Sequence, residues 1–144
     1  MFLIKKTLAE RKGVLLEITE SVRTVVEESG IDQGVVVVST PYVDAGILCT
    51  SFFDPKGHED IMDDFGRIWP ARDNFYYDGS VVKGAAHGKS AVAGTAMDFI
   101  VDGGELMLGD SQGIFLAEYC EPEPREYQVK VFGCKKNAKK AGLI

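Results

Sequence analysis

The chain has few of the residues that most often advertise chemistry. It has three cysteines and two histidines in 144 residues. Cys49, Cys120 and Cys134 are odd in number and form no CxxC pair, so reduced thiols in a cytoplasm are expected. Long hydrophobic runs are missing, so no segment reaches the length of a membrane span. The N-terminal MFLIKKTLAERK places its lysines after a very short apolar patch, the wrong order for a secretory signal. Net positive charge is also missing. A formal charge of -6 argues against nucleic acid, whose binding is driven by phosphate neutralisation. Neither GxGxxG nor GxxxxGK[ST] occurs, so a nucleotide-binding loop is unsupported, and neither Ser90 nor Ser111 lies in a nucleophile elbow.

What is present is the composition of an ordinary soluble globular protein, with the length of one domain. Positive charge gathers at the end, in Lys135, Lys136, Lys139 and Lys140. The division expected is a single domain over residues 1–134 and a solvated basic tail over 135–144.

Short strands are expected over Phe2 to Leu8 and Val14 to Ile18. Thr19 then offers a hydroxyl as N-cap for a helix with Val22, Val25 and Val26 on one face and Gly30 as its stop. The unbroken β-branched run Val35 to Val38 reads as a strand covered on both faces. After a strand over Ala45 to Phe53, Asp54 and Pro55 start a helix whose apolar face is Ile61, Phe65 and Ile68, with Trp69 alongside. A small-residue helix follows over Val81 to Val92. Strands over Met97 to Val101 and Glu105 to Leu108 flank the hairpin turn Asp102-Gly103-Gly104, and Gly113 to Tyr119 and Tyr127 to Phe132 complete the set. Strands outnumber helices and are mostly joined by tight turns. The fold class is α+β, a largely antiparallel sheet with two to three helices packed on one side.

Chemistry concentrates between Ala85 and Tyr119. His87 stands among alanines and glycines that let a ligand approach, and histidine is the side chain best suited to proton transfer near neutral pH. As a general acid or base it needs an orienting partner, for which Asp110 and Asp44 are the candidates; its other reading is a packed histidine satisfied by a carbonyl. Gly94-Thr95 and Gly109-Asp110-Ser111-Gln112-Gly113 either present N–H groups to an anion or are turns that simply need glycine. Tyr42, Tyr76 and Tyr77 offer hydroxyls and faces on which a pyrimidine-like ring could stack. Lys89 and Arg125 are the cations suited to a phosphate. A divalent metal would have to be built from His87 with Glu59, Asp60 or Asp44, an oxygen-rich set suited to magnesium or calcium. No HxH, HExxH or CxxC spacing supports it. His58, early in a polar helix beside Glu59 and Asp60, reads as a surface residue. Cys49 reads as core.

Three pieces of the chain carry a resemblance. They are Asp54-Pro55 followed by His58-Glu59-Asp60-Ile61, Ala86-His87-Gly88-Lys89 followed by Gly94-Thr95, and Gly104 to Glu118 with Leu108-Gly109-Asp110-Ser111-Gln112-Gly113-Ile114. Together they resemble the YjbQ family, described as secondary thiamine-phosphate synthases, over about residues 2 to 133. The resemblance implies the YjbQ fold and a homotrimer. It also implies an activity that joins hydroxymethylpyrimidine diphosphate to thiazole phosphate, with His87 in proton transfer or ligand contact. Lys89 and Arg125 would then attract phosphate, Ser111 and Gln112 would contact ligand, and Tyr42 and Tyr77 would shape the pocket. The chain departs from the family pattern where chemistry is densest. The family's histidine ahead of the Asp-Pro helix falls on Tyr42, its Asn-Glu pair on Thr50 and Ser51, its loop histidine near Tyr77 and its tryptophan on Ser111. Of the family's histidines only His87 is clearly kept. Tyrosine is a poor zinc ligand, so the metal site that the resemblance implies is expected to be lost or weakened. The alternative reading is a non-catalytic trimer that binds a small anionic metabolite.

Overall fold

The computed structural model describes residues 2–7, 14–53, 55–121 and 123–136. The strands are β1 (Phe2–Thr7), β2 (Val14–Glu17), β3 (Ile31–Ser39), β4 (Ala45–Ser51), β5 (Ala96–Asp102), β6 (Glu105–Leu106), β7 (Gln112–Glu118) and β8 (Pro124–Lys135). The helices are α1 (Thr19–Ser29), α2 (Pro55–Ile68) and α3 (Val81–Ala93). The described strands form a five-stranded sheet, in the order β1-β8-β3-β5-β6, and a three-stranded sheet, β2-β7-β4. Every pairing is antiparallel. The α+β class therefore stands, with the strands divided between two sheets and the helices between two layers.

Alternation along the strands explains the layers, because successive side chains point to opposite faces. Val36 and Val38 of β3, Tyr127 and Val129 of β8, and Ile114 and Leu116 of β7 turn into one core, which α1 completes with Val22, Val25 and Val26. Ala117 and Tyr119 face the other way, into a second cluster with Ala86 of α3 and with Met62 and Phe65 of α2. The basic tail beyond Lys136, like Asp54, lies outside the described residues.

Several expectations need correction. Thr19 does not cap α1. Ile18 takes that position, while the Thr19 hydroxyl donates to Glu17 Oε2 at 2.8 Å and accepts from the Ile114 N–H at 2.9 Å. Its burial against β7 makes that cross-strand tie available. Gly30 does close the helix, in the left-handed conformation with φ 70°. The apolar stripe of α2 is rotated: Ile68 is exposed, and Met62 and Phe65 face Tyr119, with Trp69 edge-on to Phe65 at 5.6 Å. His58 is half-buried, its ring 4.7 Å from that of Phe115 and its Nε2 against the Ser51 carbonyl. Within one protomer the valine run is covered on one face only. Val35 and Val37 point outward, and the neighbouring Ile100, Met107 and Phe132 on that face are 59%, 48% and 50% exposed.

β3 and β8 meet at a pair of glycines. Gly34 lies opposite Gly133, next to a register irregularity between Ile31 and Gln33. A Cβ on Gly34 would sit 1.8 Å from the Phe132 carbonyl oxygen, a backbone atom that cannot swing aside. Gly34→Ala is therefore expected to lower the unfolding free energy by about 3 kcal/mol, at the upper end of overpacking costs. Gly30→Ala meets nothing within 4 Å and should lose only about 1–2 kcal/mol, from its left-handed backbone. Urea denaturation of the two variants checks the ranking.

Candidate functional site

The end of the core where β4 begins and β7 finishes holds a buried ionic cluster. Arg125, the second residue of β8, follows the same inward alternation as Tyr127 and Val129 and is only 1% exposed. Its Nε and Nη2 donate to the two carboxylate oxygens of the fully buried Glu118 at 2.8 and 2.7 Å. Its Nη1 donates to Asp44 Oδ1 at 2.8 Å and lies 2.8 Å from Glu123 Oε1. Glu118 also accepts from the Cys120 N–H at 3.0 Å, and Lys83 of α3 approaches Asp44 at 3.8 Å. Burial works against the guanidinium's charge, but the hydrogen bonds to Glu118 and Asp44 outweigh it and push its pKa up. Among the described side chains two cations thus face three carboxylates, and Arg125 has no charge to spare for a phosphate.

Tyr42 divides this cluster from a pocket. The Arg125 guanidinium carbon lies 4.7 Å from the centre of the Tyr42 ring, and the Tyr42 hydroxyl accepts from the Glu126 N–H at 3.1 Å. Beyond Tyr42 a cavity of about 360 Å³ is lined by Val43, His87, Ser90, Ala91 and Thr95 as well. α3 places His87 and Ser90 three residues apart on one face. Ser80 caps the helix by accepting from the Lys83 N–H, and the Ser90 hydroxyl donates to the Ala45 carbonyl at 2.7 Å, pinning α3 to β4. Tyr77 leans edge-on against His87 at 4.8 Å between ring centres. His87 Nε2 is buried and has no hydrogen-bond partner among the described residues.

The structure therefore brings together Tyr42, Tyr77 and His87, with Asp44 and Arg125 next door. It does not bring the others to them. Asp110, Ser111 and Gln112 lie in an exposed turn at the far end of β7, where Gln112 pairs with Ser51 while Glu118 pairs with Ala45. Six residue steps along the strand separate those ends, roughly 20 Å. Gln112 Oε1 accepts from the Gly109 N–H at 2.8 Å, closing the turn on itself. Asp44 is committed to Arg125, so neither candidate partner orients His87. Lys89 faces a different cavity. Glu59 and Asp60 are exposed on α2, and among the described residues no three His, Cys, Asp or Glu side chains converge as metal ligands. Cys49 is half-buried, and burial pushes its thiol pKa up, away from the reactive thiolate. Sequence reasoning missed Glu118, Glu123 and Lys83 as partners of Arg125. The signal was an acid ending an apolar strand close to the lone arginine of the Glu-Pro-Glu-Pro-Arg stretch.

Two antiparallel sheets with three described helices, and a histidine-bearing pocket walled in part by Tyr42, define a small α+β domain with a ligand-sized cleft. The family model described as "UPF0047 protein YjbQ-like" matches residues 5–134, and the chain belongs to this YjbQ family. It is 34% identical over 126 residues to UPF0047 protein MJ1081 of Methanocaldococcus jannaschii, covering 87% of this chain and 89% of that one. It is 30% identical over 125 residues to UPF0047 protein YugU of Bacillus subtilis, covering 85% and 92%. A crystal structure of a YjbQ/UPF0047 family protein from Clostridium acetobutylicum superposes with a TM-score of 0.85 at 28% identity, covering 92% of this chain and 100% of that one. Among the described residues, no helix is long and apolar enough to cross a membrane.

Proposed function

We propose that the protein binds a small, nearly neutral aromatic ring in the Tyr42–His87 pocket and that a single protomer does not catalyse thiamine-phosphate formation. The observation that carries this reading is the saturation of Arg125 by Glu118, Asp44 and Glu123. A diphosphate needs uncommitted cations, and an anion entering here would meet carboxylates already in excess. The pocket itself supplies aromatic surface from Tyr42 and one imidazole, braced edge-on by Tyr77 and without an orienting acid. Those features suit edge and face contacts with a ring better than proton transfer.

We also propose that the protein assembles as a homotrimer. The row of Phe132, Ile100 and Met107, each about half exposed, around the partly buried Val35 supports self-association, because a β-branched run of this kind is usual in strands covered on both faces. The second reading, a thiamine-phosphate synthase-like transferase, is favoured by the retention of His87 beside a ring-sized cavity. It requires a neighbouring protomer to supply the phosphate-binding cations.

One experiment separates the two. Hydroxymethylpyrimidine binding is followed by calorimetry, and thiamine-phosphate formation is assayed with and without added divalent metal, for wild type, His87→Ala and Tyr77→Ala. The expected result is saturable binding that weakens about tenfold in each variant, a loss of about 1.4 kcal/mol, with no product. Turnover that disappears in His87→Ala would establish the transferase instead.

A further inference from the structure

His87 and Lys89 are two positions apart on α3 and so project to nearly opposite sides of the helix. On the Lys89 side, α2, α3 and the end of β7 enclose a second cavity of about 310 Å³. Met62 and Asp63 of α2, Val82, Ala85 and Lys89 of α3, and Tyr119 line it. Most of that wall is hydrocarbon or aromatic ring. Two groups of opposite charge also border it, and they do not neutralise each other. Neither Lys89 nor Asp63 makes a side-chain hydrogen bond or ion pair among the described residues.

That arrangement is costly for Lys89. The side chain is half-buried, and burial pushes its pKa down from the ordinary value, with no partner to offset the lost hydration. Asp63 is exposed at the edge of the cavity. An anion drawn to Lys89 would meet Asp63, and a cation drawn to Asp63 would meet Lys89. A ligand bearing both charges satisfies both. We propose that the cavity between α2 and α3 binds a small zwitterion with an aliphatic body, its carboxylate on Lys89 Nζ and its ammonium on Asp63, an aliphatic amino acid being the simplest member of the class. The body would pack on Met62, Val82 and Ala85. This site is separate from the His87 pocket and does not depend on what that pocket holds.

The test is a titration of the intact protein followed by backbone amide NMR shifts. Three probes are compared: leucine, isocaproate (which lacks the amine) and isoamylamine (which lacks the carboxylate). Leucine is expected to give saturable shifts at Met62, Val82, Ala85 and Lys89, leaving Tyr42 and Thr95 unmoved. Each half-ligand should bind at least about tenfold more weakly, since each forfeits one charge-assisted contact. Lys89→Met and Asp63→Asn should each weaken leucine by a similar factor, and Lys89→Arg should recover part of the loss. Asp63 is exposed, so Asp63→Asn tests the idea even if Lys89→Met disturbs packing. The proposal is overturned if leucine does not saturate, if isocaproate binds as well as leucine, or if Asp63→Asn leaves leucine binding unchanged.

Discussion

Arg125→Ala is expected to cost about 3–5 kcal/mol of unfolding free energy, a large share of the roughly 5–15 kcal/mol that holds a domain together. The reason is the company left behind. Glu118 is fully buried and Asp44 nearly so, and without the guanidinium their carboxylates would be stranded in the core, with Lys83, 3.8 Å from Asp44, as the cation left to the cluster among the described side chains. Burying an unpaired charge costs several kcal/mol, whereas replacing a whole buried ionic group with apolar side chains is often neutral. Arg125→Met combined with Glu118→Leu should therefore recover much of the loss. Urea denaturation of the single and double variants gives both values. A loss under about 1 kcal/mol for Arg125→Ala, the size typical of exposed ion pairs, would show that water reaches the cluster.

Phe132→Glu with Ile100→Glu is expected to convert the proposed trimer to folded monomers, a threefold fall in mass by light scattering with unchanged far-ultraviolet circular dichroism. The two side chains lie in one row across the outer face, each aligned with Val35 through the β3 pairings, and both are at least half exposed. Charging them removes apolar area and sets like charges against each other across any interface, while the inward residues Val36, Val38 and Val129 are untouched. Lys130 already lies 5.2 Å from the centre of the Phe132 ring, so one end of the row tolerates charge at its rim. An unchanged mass would assign the contact between protomers to another surface.

The fold was more legible than the site, and the reason is periodicity. Val22, Val25 and Val26 share a face at helical spacing, and they do enter the core. Asp102-Gly103-Gly104 does form a hairpin turn, with φ of 60° and 78° at the two glycines. Where several residues of α2 compete for one stripe, spacing alone chose Ile68 over Met62, because both sets repeat every three to four residues. Tyr119, arriving from β7, decides between them.

The sequence by itself determined the strand and helix content, the α+β class, the glycines that tight turns demand, and the family, because these depend on neighbours within a few residues or on ordered short motifs. Tertiary structure decided the rest. It drew Asp44, Glu118 and Arg125 into one buried cluster across separations of 81 and 7 residues. It held Asp110 roughly 20 Å from the end of the strand near His87, and it sent Lys89 into a cavity that His87 does not share. Such meetings are set by how sheets register and layers stack, and by the drive to pair every charge removed from water. Beyond the short spacing of Glu118 and Arg125, no local pattern of residues encodes them.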